Sequence, residues 1–229
     1  MTTADTPSGK LHPIAKWSLI IGPILVVVFN FLMPTSGMDP GEVVPYLTTL
    51  GLDAGIAQIY MVLILLGAIL YTRAIIGLYQ IAPENSVSHQ RLGVGMLGAV
   101  AALGLWGVAI GLGLAEASAA ETMVAGTAKS AAAGAVGAAM HAGFFGVFQV
   151  AIYVAYISLI PIGGGIAVSG IVRREFGWVI TLLGLAAIIL TSIMPFNTEA
   201  GTMVFGIVAI IWGVVFLAMG LMIMKQDMD

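Results

Sequence analysis

Three histidines occur in the chain, and one of them, His141, lies in the apolar stretch "AAMHAGFFGVFQ" between Ala138 and Gln149. An imidazole there has three uses: it can ligate a metal or haem iron, relay a proton, or hydrogen-bond to a neighbouring helix. Gln149 follows eight residues later, about 12 Å along a helix and, at about 100° per residue, back on nearly the same face. His141, Phe145 and Gln149 therefore form one stripe. Polar groups on a helix surrounded by apolar sequence turn inward or toward a partner. Asn30, Gln58 and Thr191 offer matching polar contacts from other apolar runs. The stripe is a candidate cavity lining, interhelical contact or subunit contact, and it fits equally a polar pair satisfied by packing.

A membrane haem needs axial ligands at similar depth on facing helices. His12 precedes the first apolar run and His89 lies in a loop at the opposite face from His141, with about 30 Å of hydrocarbon between the faces. A bis-histidine site within one chain is excluded. Ligation by His141 with Met123, Met140 or Met194 remains open on depth alone. The chain has no cysteine, so disulfides, iron–sulfur clusters and thiolate metal sites are excluded. The expectation is no cofactor and no metal. No Walker motif, dinucleotide glycine fingerprint, Ser/His/Asp pattern or zinc-protease His-Glu spacing is present, and no catalytic residue is assigned.

Arg73 sits between "LILLGAILYT" and "AIIGLY". Its stem can lie along the helix while the guanidinium snorkels to the headgroups, or it can make an inner-face charge contact, with Glu84 and Glu175 as the nearest acids. Gly104, Gly107 and Gly111 share one helical face, and the last two make a GxxxG. Small residues let helices approach closely in lipid, so these three are candidate packing positions, within the chain ahead of a dimer face.

The elements that must position these residues follow from composition. The chain has 229 residues, 60% hydrophobic and only 8% charged, with a mean hydropathy of +1.08. A soluble domain carries about a quarter charged residues. Lipid must therefore cover much of this surface, and the fold class is an all-α polytopic membrane helix bundle with the lipid bilayer as its first partner. The net charge of -3 gives no reason to expect nucleic acid.

A span needs about 20 apolar residues. Six runs qualify: 17–33, 54–79, 92–115, one within 138–172, 178–194 and 202–224. Residues 1–16 and 225–229 are tails. Pro161 and the three glycines of "SLIPIGGGIAVSG" suggest that the fourth helix is kinked near residue 161. Residues 118–137 read as a re-entrant or interfacial segment, and a seven-span arrangement is the alternative. Lys10, Lys16, Arg73, Arg91, Arg173, Arg174 and Lys225 fall at one face and only Lys129 at the other. By the positive-inside rule both termini are cytoplasmic, in the inner (plasma) membrane. Asp39, Glu42, Asp53, Glu116, Glu121 and Glu199 are then placed in the outer loops.

"WSLIIGPILVVVFNFLMP" at Trp17 and "WVITLLGLAAIILTSIMP" at Trp178 share a frame of Trp at the start and Met-Pro at the end. A parallel internal repeat, or convergence on the same interface anchor and helix stop, explains the match. The stretch "GGGIAVSGIVRREFGWVITLLGLAAIIL" resembles the corresponding segment of a family of uncharacterised bacterial six-helix integral membrane proteins, a domain of unknown function. There a small-residue helix ends in Ser-Gly, here Ser169-Gly170. A short basic turn follows, here Arg173 and Arg174, and then an aromatic start to the next span, here Phe176, Gly177 and Trp178. The family's usual proline in the turn is absent. The resemblance implies a six-span fold and brings no activity. The functional expectation is an accessory or structural subunit of a larger membrane complex, with other membrane subunits as partners. The alternative is a small-molecule or ion carrier or channel using the polar stripe on the fourth helix.

Overall fold

A computed structural model describes residues 9–226, so the extreme ends of both tails lie outside the described residues. Seven helices follow in order: α1 (Pro13–Leu32), α2 (Val43–Leu52), α3 (Ala54–Ile81), α4 (Val87–Val124), α5 (Ser130–Ser169), α6 (Arg174–Ile193) and α7 (Glu199–Gln226). No strand occurs among the described residues. Six helices are long and apolar enough to cross a membrane, and α2 is the short exception. The chain is a polytopic membrane helix bundle.

Local signals set the boundaries. The His12 side chain caps α1, with proline at the first turn, and the Ser86 hydroxyl caps α4 by accepting from the His89 amide at 3.0 Å. Gly170 ends α5 in the left-handed conformation at φ 68°, which glycine adopts without steric cost. Pro34 and Pro195 follow the ends of α1 and α6. Pro161 does not end α5, which stays α-helical from Ser130 to Ser169; prolines are tolerated in spanning helices where neighbours supply compensating contacts.

One expectation is corrected. Residues 118–137 form no separate re-entrant or interfacial segment. They are the end of α4, a turn and the start of α5. Alanine is the best helix former, and the Ala-rich sequence around Glu116 simply continues the helix. The extra short helix is instead α2, with Leu47 and Leu50 buried and Val44 and Leu52 exposed.

The spanning helices close into a ring in chain order. α1 packs on α3, α3 on α4, α4 on α5, α5 on α6, α6 on α7, and α7 returns to α1. Where two helices approach closely, glycine is required. A Cβ at Gly163 would lie 2.5 Å from the Gly177 carbonyl oxygen and the Thr181 amide of α6, and one at Gly165 would lie 2.7 Å from the Leu92 side chain of α4. Between them, Gly164 offers its carbonyl to the Arg91 guanidinium at 3.2 Å. The triple glycine is thus the place where α5 is clasped from both sides. Around the ring, large apolar side chains such as Leu97, Leu182, Ile189, Ile193 and Val214 point outward and are exposed. They form the belt that lipid covers.

Candidate functional site

Two adjoining cavities lie among the helices. One lies at the end of the bundle that carries Pro40 and the α6–α7 loop, and is called here the vestibule. It occupies about 430 Å³ between the ends of α1, α3, α5 and α7 and the 33–40 loop. Its wall is aromatic: Phe148 and Phe196 lie 4.8 Å apart between centroids, and Phe196 and Phe205 5.0 Å. Met38, Met61 and Met203 supply adaptable apolar surface. Polar groups are few, with Asn30, Thr35 and Glu199 among them. Below it, a pocket of about 90 Å³ lies among α1, α3, α4, α5 and α7. Phe205 and Ala209 line both.

His141 belongs to the frame of the vestibule. It is 5% exposed. Its Nδ1 lies 2.7 Å from Glu116 Oε1 on α4, and its Nε2 lies 2.8 Å from the Pro40 carbonyl oxygen. A carbonyl oxygen only accepts, so Nε2 carries a proton and donates it to Pro40. The Nδ1 contact then needs one shared proton, either imidazolium facing carboxylate or imidazole facing carboxylic acid. Both arrangements leave the pair neutral overall, which suits a site with Glu116 only 1% exposed. Tyr46 of α2 packs edge-on to the imidazole at 4.7 Å, and Phe145 stands 4.6 Å from it, with the Tyr46 and Phe145 rings 5.9 Å apart.

Gln149, at the lower end of the same stripe, makes a matching contact. Its Oε1 accepts from the Phe196 amide at 2.9 Å. The stripe on α5 therefore fastens two loops: His141 holds the α1–α2 loop at Pro40, and Gln149 holds the α6–α7 loop at Phe196. Phe145, between them, lines the vestibule. With both nitrogens of His141 hydrogen-bonded, the imidazole offers no lone pair to a metal or haem while these bonds stand. Among the described residues there is no group of three or more His, Cys, Asp or Glu placed to hold a metal ion.

The other residues singled out from sequence do not join this stripe. Asn30 lines the vestibule but donates to its own helix at Val26 O, 2.7 Å away. Gln58 donates to Ser118 Oγ at 3.1 Å on an exposed part of the α3–α4 seam. Thr191 is buried, and its hydroxyl bonds the Ala187 carbonyl of its own turn at 2.6 Å.

Glu116 is a correction. Sequence reasoning placed it in a solvated loop because the third apolar run was ended at Ala115. The neighbouring Ala residues were the signal that the helix, and with it the carboxyl group, continued inside the bundle. Arg73 is half-buried on α3, and its Nη1 has no hydrogen-bond partner among the described residues. Gly104, Gly107 and Gly111 are a second. Among the described residues nothing beyond their own helix lies within 4 Å of a Cβ built at any of them, so no other described helix packs closely against them. The close approaches fall instead at Gly22 and Gly67 between α1 and α3, and at Gly163 and Gly177 between α5 and α6.

No family model, curated protein or solved structure matches the chain.

Proposed function

We propose that the protein is a carrier for a small lipophilic molecule in the inner (plasma) membrane, with both termini cytoplasmic and the vestibule opening to the outer side. The observation that carries this reading is the pair of adjoining cavities among the spanning helices, which share Phe205 and Ala209, the larger bordered by Pro40 and Phe196 of the loops. A chain serving only as packing material has no need to keep its centre open, since bundle interiors are otherwise filled to high density. Ligand sites in proteins are concave, mostly apolar, and carry a few placed polar groups. The vestibule meets that description, and the loops around it are held by side chains from one rigid helix. The basic residues at the opposite end support the orientation.

One observation favours the second reading, an accessory subunit. Gly104, Gly107 and Gly111 leave open space along α4, and a helix of another chain fits against such a face.

The test is purification from the native membrane in mild detergent, with solvent extraction and mass spectrometry of the bound small molecules. The carrier reading expects a stoichiometric lipophile that is lost in Ala209→Leu, which narrows the junction of the two cavities, while the variant still elutes as a folded monodisperse species. Co-purification of other chains with no retained small molecule in the wild type overturns it in favour of the subunit.

A further inference from the structure

Charge is one-sided at the vestibule end of the bundle. Asp39, Glu42, Asp53, Glu121 and Glu199 lie in the loops and helix ends there, and Lys129 of the α4–α5 turn is the one lysine or arginine among the described residues set against them. Glu116 is already matched by His141. Of the remaining carboxylates, Glu199 also lines the vestibule, and among the described residues no lysine, arginine or histidine does.

The Glu199 carboxylate has no duty in the fold. It is exposed in the first turn of α7. Thr198 caps that turn, its hydroxyl oxygen accepting from the Gly201 amide at 3.1 Å. Among the described residues the carboxylate has neither an ion pair nor a hydrogen bond. Two other polar side chains of the lining have spent protons on their own helices. Thr202 donates its only one to the Glu199 carbonyl at 2.8 Å, and Asn30 donates one to the Val26 carbonyl at 2.7 Å. What they keep is chiefly oxygen lone pairs. The rest of the wall is rich in phenylalanine: Phe31, Phe144, Phe145, Phe148, Phe196 and Phe205, from α1, α5, α7 and the α6–α7 loop. An aromatic ring attracts a cation to its face, more strongly when the cation is desolvated.

These features sort the molecules that a cavity of about 430 Å³ can take. An anion meets a carboxylate and no counter-charge, and the field of the surrounding acids turns it away. A small inorganic cation must give up its hydration to a mostly apolar wall, which is expensive. An uncharged hydrocarbon fills the wall but leaves the carboxylate without a partner. A cation covered by organic groups uses every part of the site. Its substituents bury against phenylalanine and methionine, and its charge meets the rings and Glu199.

We propose that the vestibule binds a lipophilic monocation of the quaternary onium class, with Glu199 as its counter-charge and the phenylalanine wall around it. The proposal deepens the carrier reading and rests on it for passage beyond the vestibule.

The test uses the full chain in nanodiscs of zwitterionic lipid and three molecules of one shape: methyltriphenylphosphonium, uncharged methyltriphenylsilane and anionic methyltriphenylborate. Radiolabelled phosphonium is measured by equilibrium dialysis against empty nanodiscs, with the other two as competitors. Saturable binding of the phosphonium is expected, displaced weakly by the silane and not by the borate. Glu199→Gln should weaken phosphonium binding by about 2- to 5-fold, more at low salt than at high, with silane competition and the thermal midpoint unchanged. Glu121→Gln, at the far tip of α4, should change neither. Phe205→Leu should lower the ratio of phosphonium to silane affinity by about 2- to 30-fold; that ratio is readable even where the substitution alters packing. No saturable binding above empty nanodiscs, a silane or borate that competes as well as the phosphonium itself, or phosphonium affinity unchanged in Glu199→Gln overturns the proposal. A ratio unchanged in Phe205→Leu does the same. Binding with the expected variant losses, but no protein-dependent flux of the phosphonium into liposomes, sinks the carrier reading and leaves this site standing. A stoichiometric uncharged lipophile retained from the native membrane, with no preference for the phosphonium, does the reverse.

Discussion

Replacing His141 with Phe tests whether the stripe on α5 is a fastening or a working group. The substitution keeps an aromatic ring between Tyr46 and Phe145 and removes both polar contacts. Two buried acceptors are then stranded: the Glu116 carboxyl, 1% exposed, and the Pro40 carbonyl. Each stranded group costs about 1–3 kcal/mol, and the unfolded-in-membrane reference softens such costs because it also finds partners. A destabilisation of about 2–4 kcal/mol is expected for His141→Phe. Glu116→Leu strands only Nδ1 and leaves the Nε2 bond to Pro40, so it costs about 1–2 kcal/mol. The double variant removes the carboxyl that the first change had orphaned. It strands only the Pro40 carbonyl and costs about 1–2 kcal/mol, well below the sum of the singles. The coupling is then about 2–4 kcal/mol, at the upper end of what groups in direct contact show. Reversible unfolding in mixed micelles, followed by tryptophan emission across the four-member cycle, measures it. Additivity to within about 0.5 kcal/mol refutes the claim that the two side chains share one proton in one buried contact.

Gln149→Leu should cost about 1 kcal/mol and raise amide exchange at Phe196 without changing exchange around Pro40, since the two staples hold separate loops. Gly163→Ala and Gly107→Ala should move the thermal midpoint in opposite directions. The first forces a methyl to within 2.5 Å of α6 backbone and should lower it, by about 1–3 kcal/mol of overpacking or more. The second meets open space and gains about 0.5–1 kcal/mol from helix propensity. A midpoint that falls equally in both would deny the difference in surroundings. A reporter fused after Asp229 should be cytoplasmic and one inserted beside Glu121 external; the reverse result discards the positive-inside assignment.

The class of fold was legible because it follows from bulk properties. Six apolar runs, prolines at their ends and a surface that only lipid could cover leave little choice. The stripe was legible as a stripe, because an eight-residue spacing returns to one face whatever surrounds it. Its partners were not. Pro40 contributes a backbone carbonyl, which no side-chain pattern advertises, and it meets His141 across 101 positions of chain. Glu116 was hidden by treating an acid as the end of a span, when the helix continued and the acid was neutralised inside. The glycine motif on α4 misled for a related reason. GxxxG says that a helix can be approached closely, and only the arrangement of neighbours says whether it is. Tyr71, Trp106 and Tyr156 carry no mutual spacing at all. Three separate helices bring them together, so their common pocket is a property of the ring.

Depth separates the polar groups of this bundle into two kinds. Near the loops, His141, Glu116 and Gln149 each hydrogen-bond to protein, across helices or to loop backbone. Changing any of them should first alter stability. In the wall of the smaller pocket, Tyr71, Trp106 and Tyr156 have buried donors with no hydrogen-bond partner among the described residues. Their hydroxyls and indole N–H contribute nothing to the empty fold beyond the cost of burial, and removing a phenol oxygen should leave stability unchanged or improved by the desolvation it relieves. That sign is the distinguishing observation. A His141→Phe variant that is destabilised, beside a Tyr156→Phe variant that is not, assigns the framework to the histidine stripe and leaves the buried phenol outside it. The opposite pattern, a Tyr156→Phe variant that unfolds readily, means the hydroxyl has a partner in the resting protein.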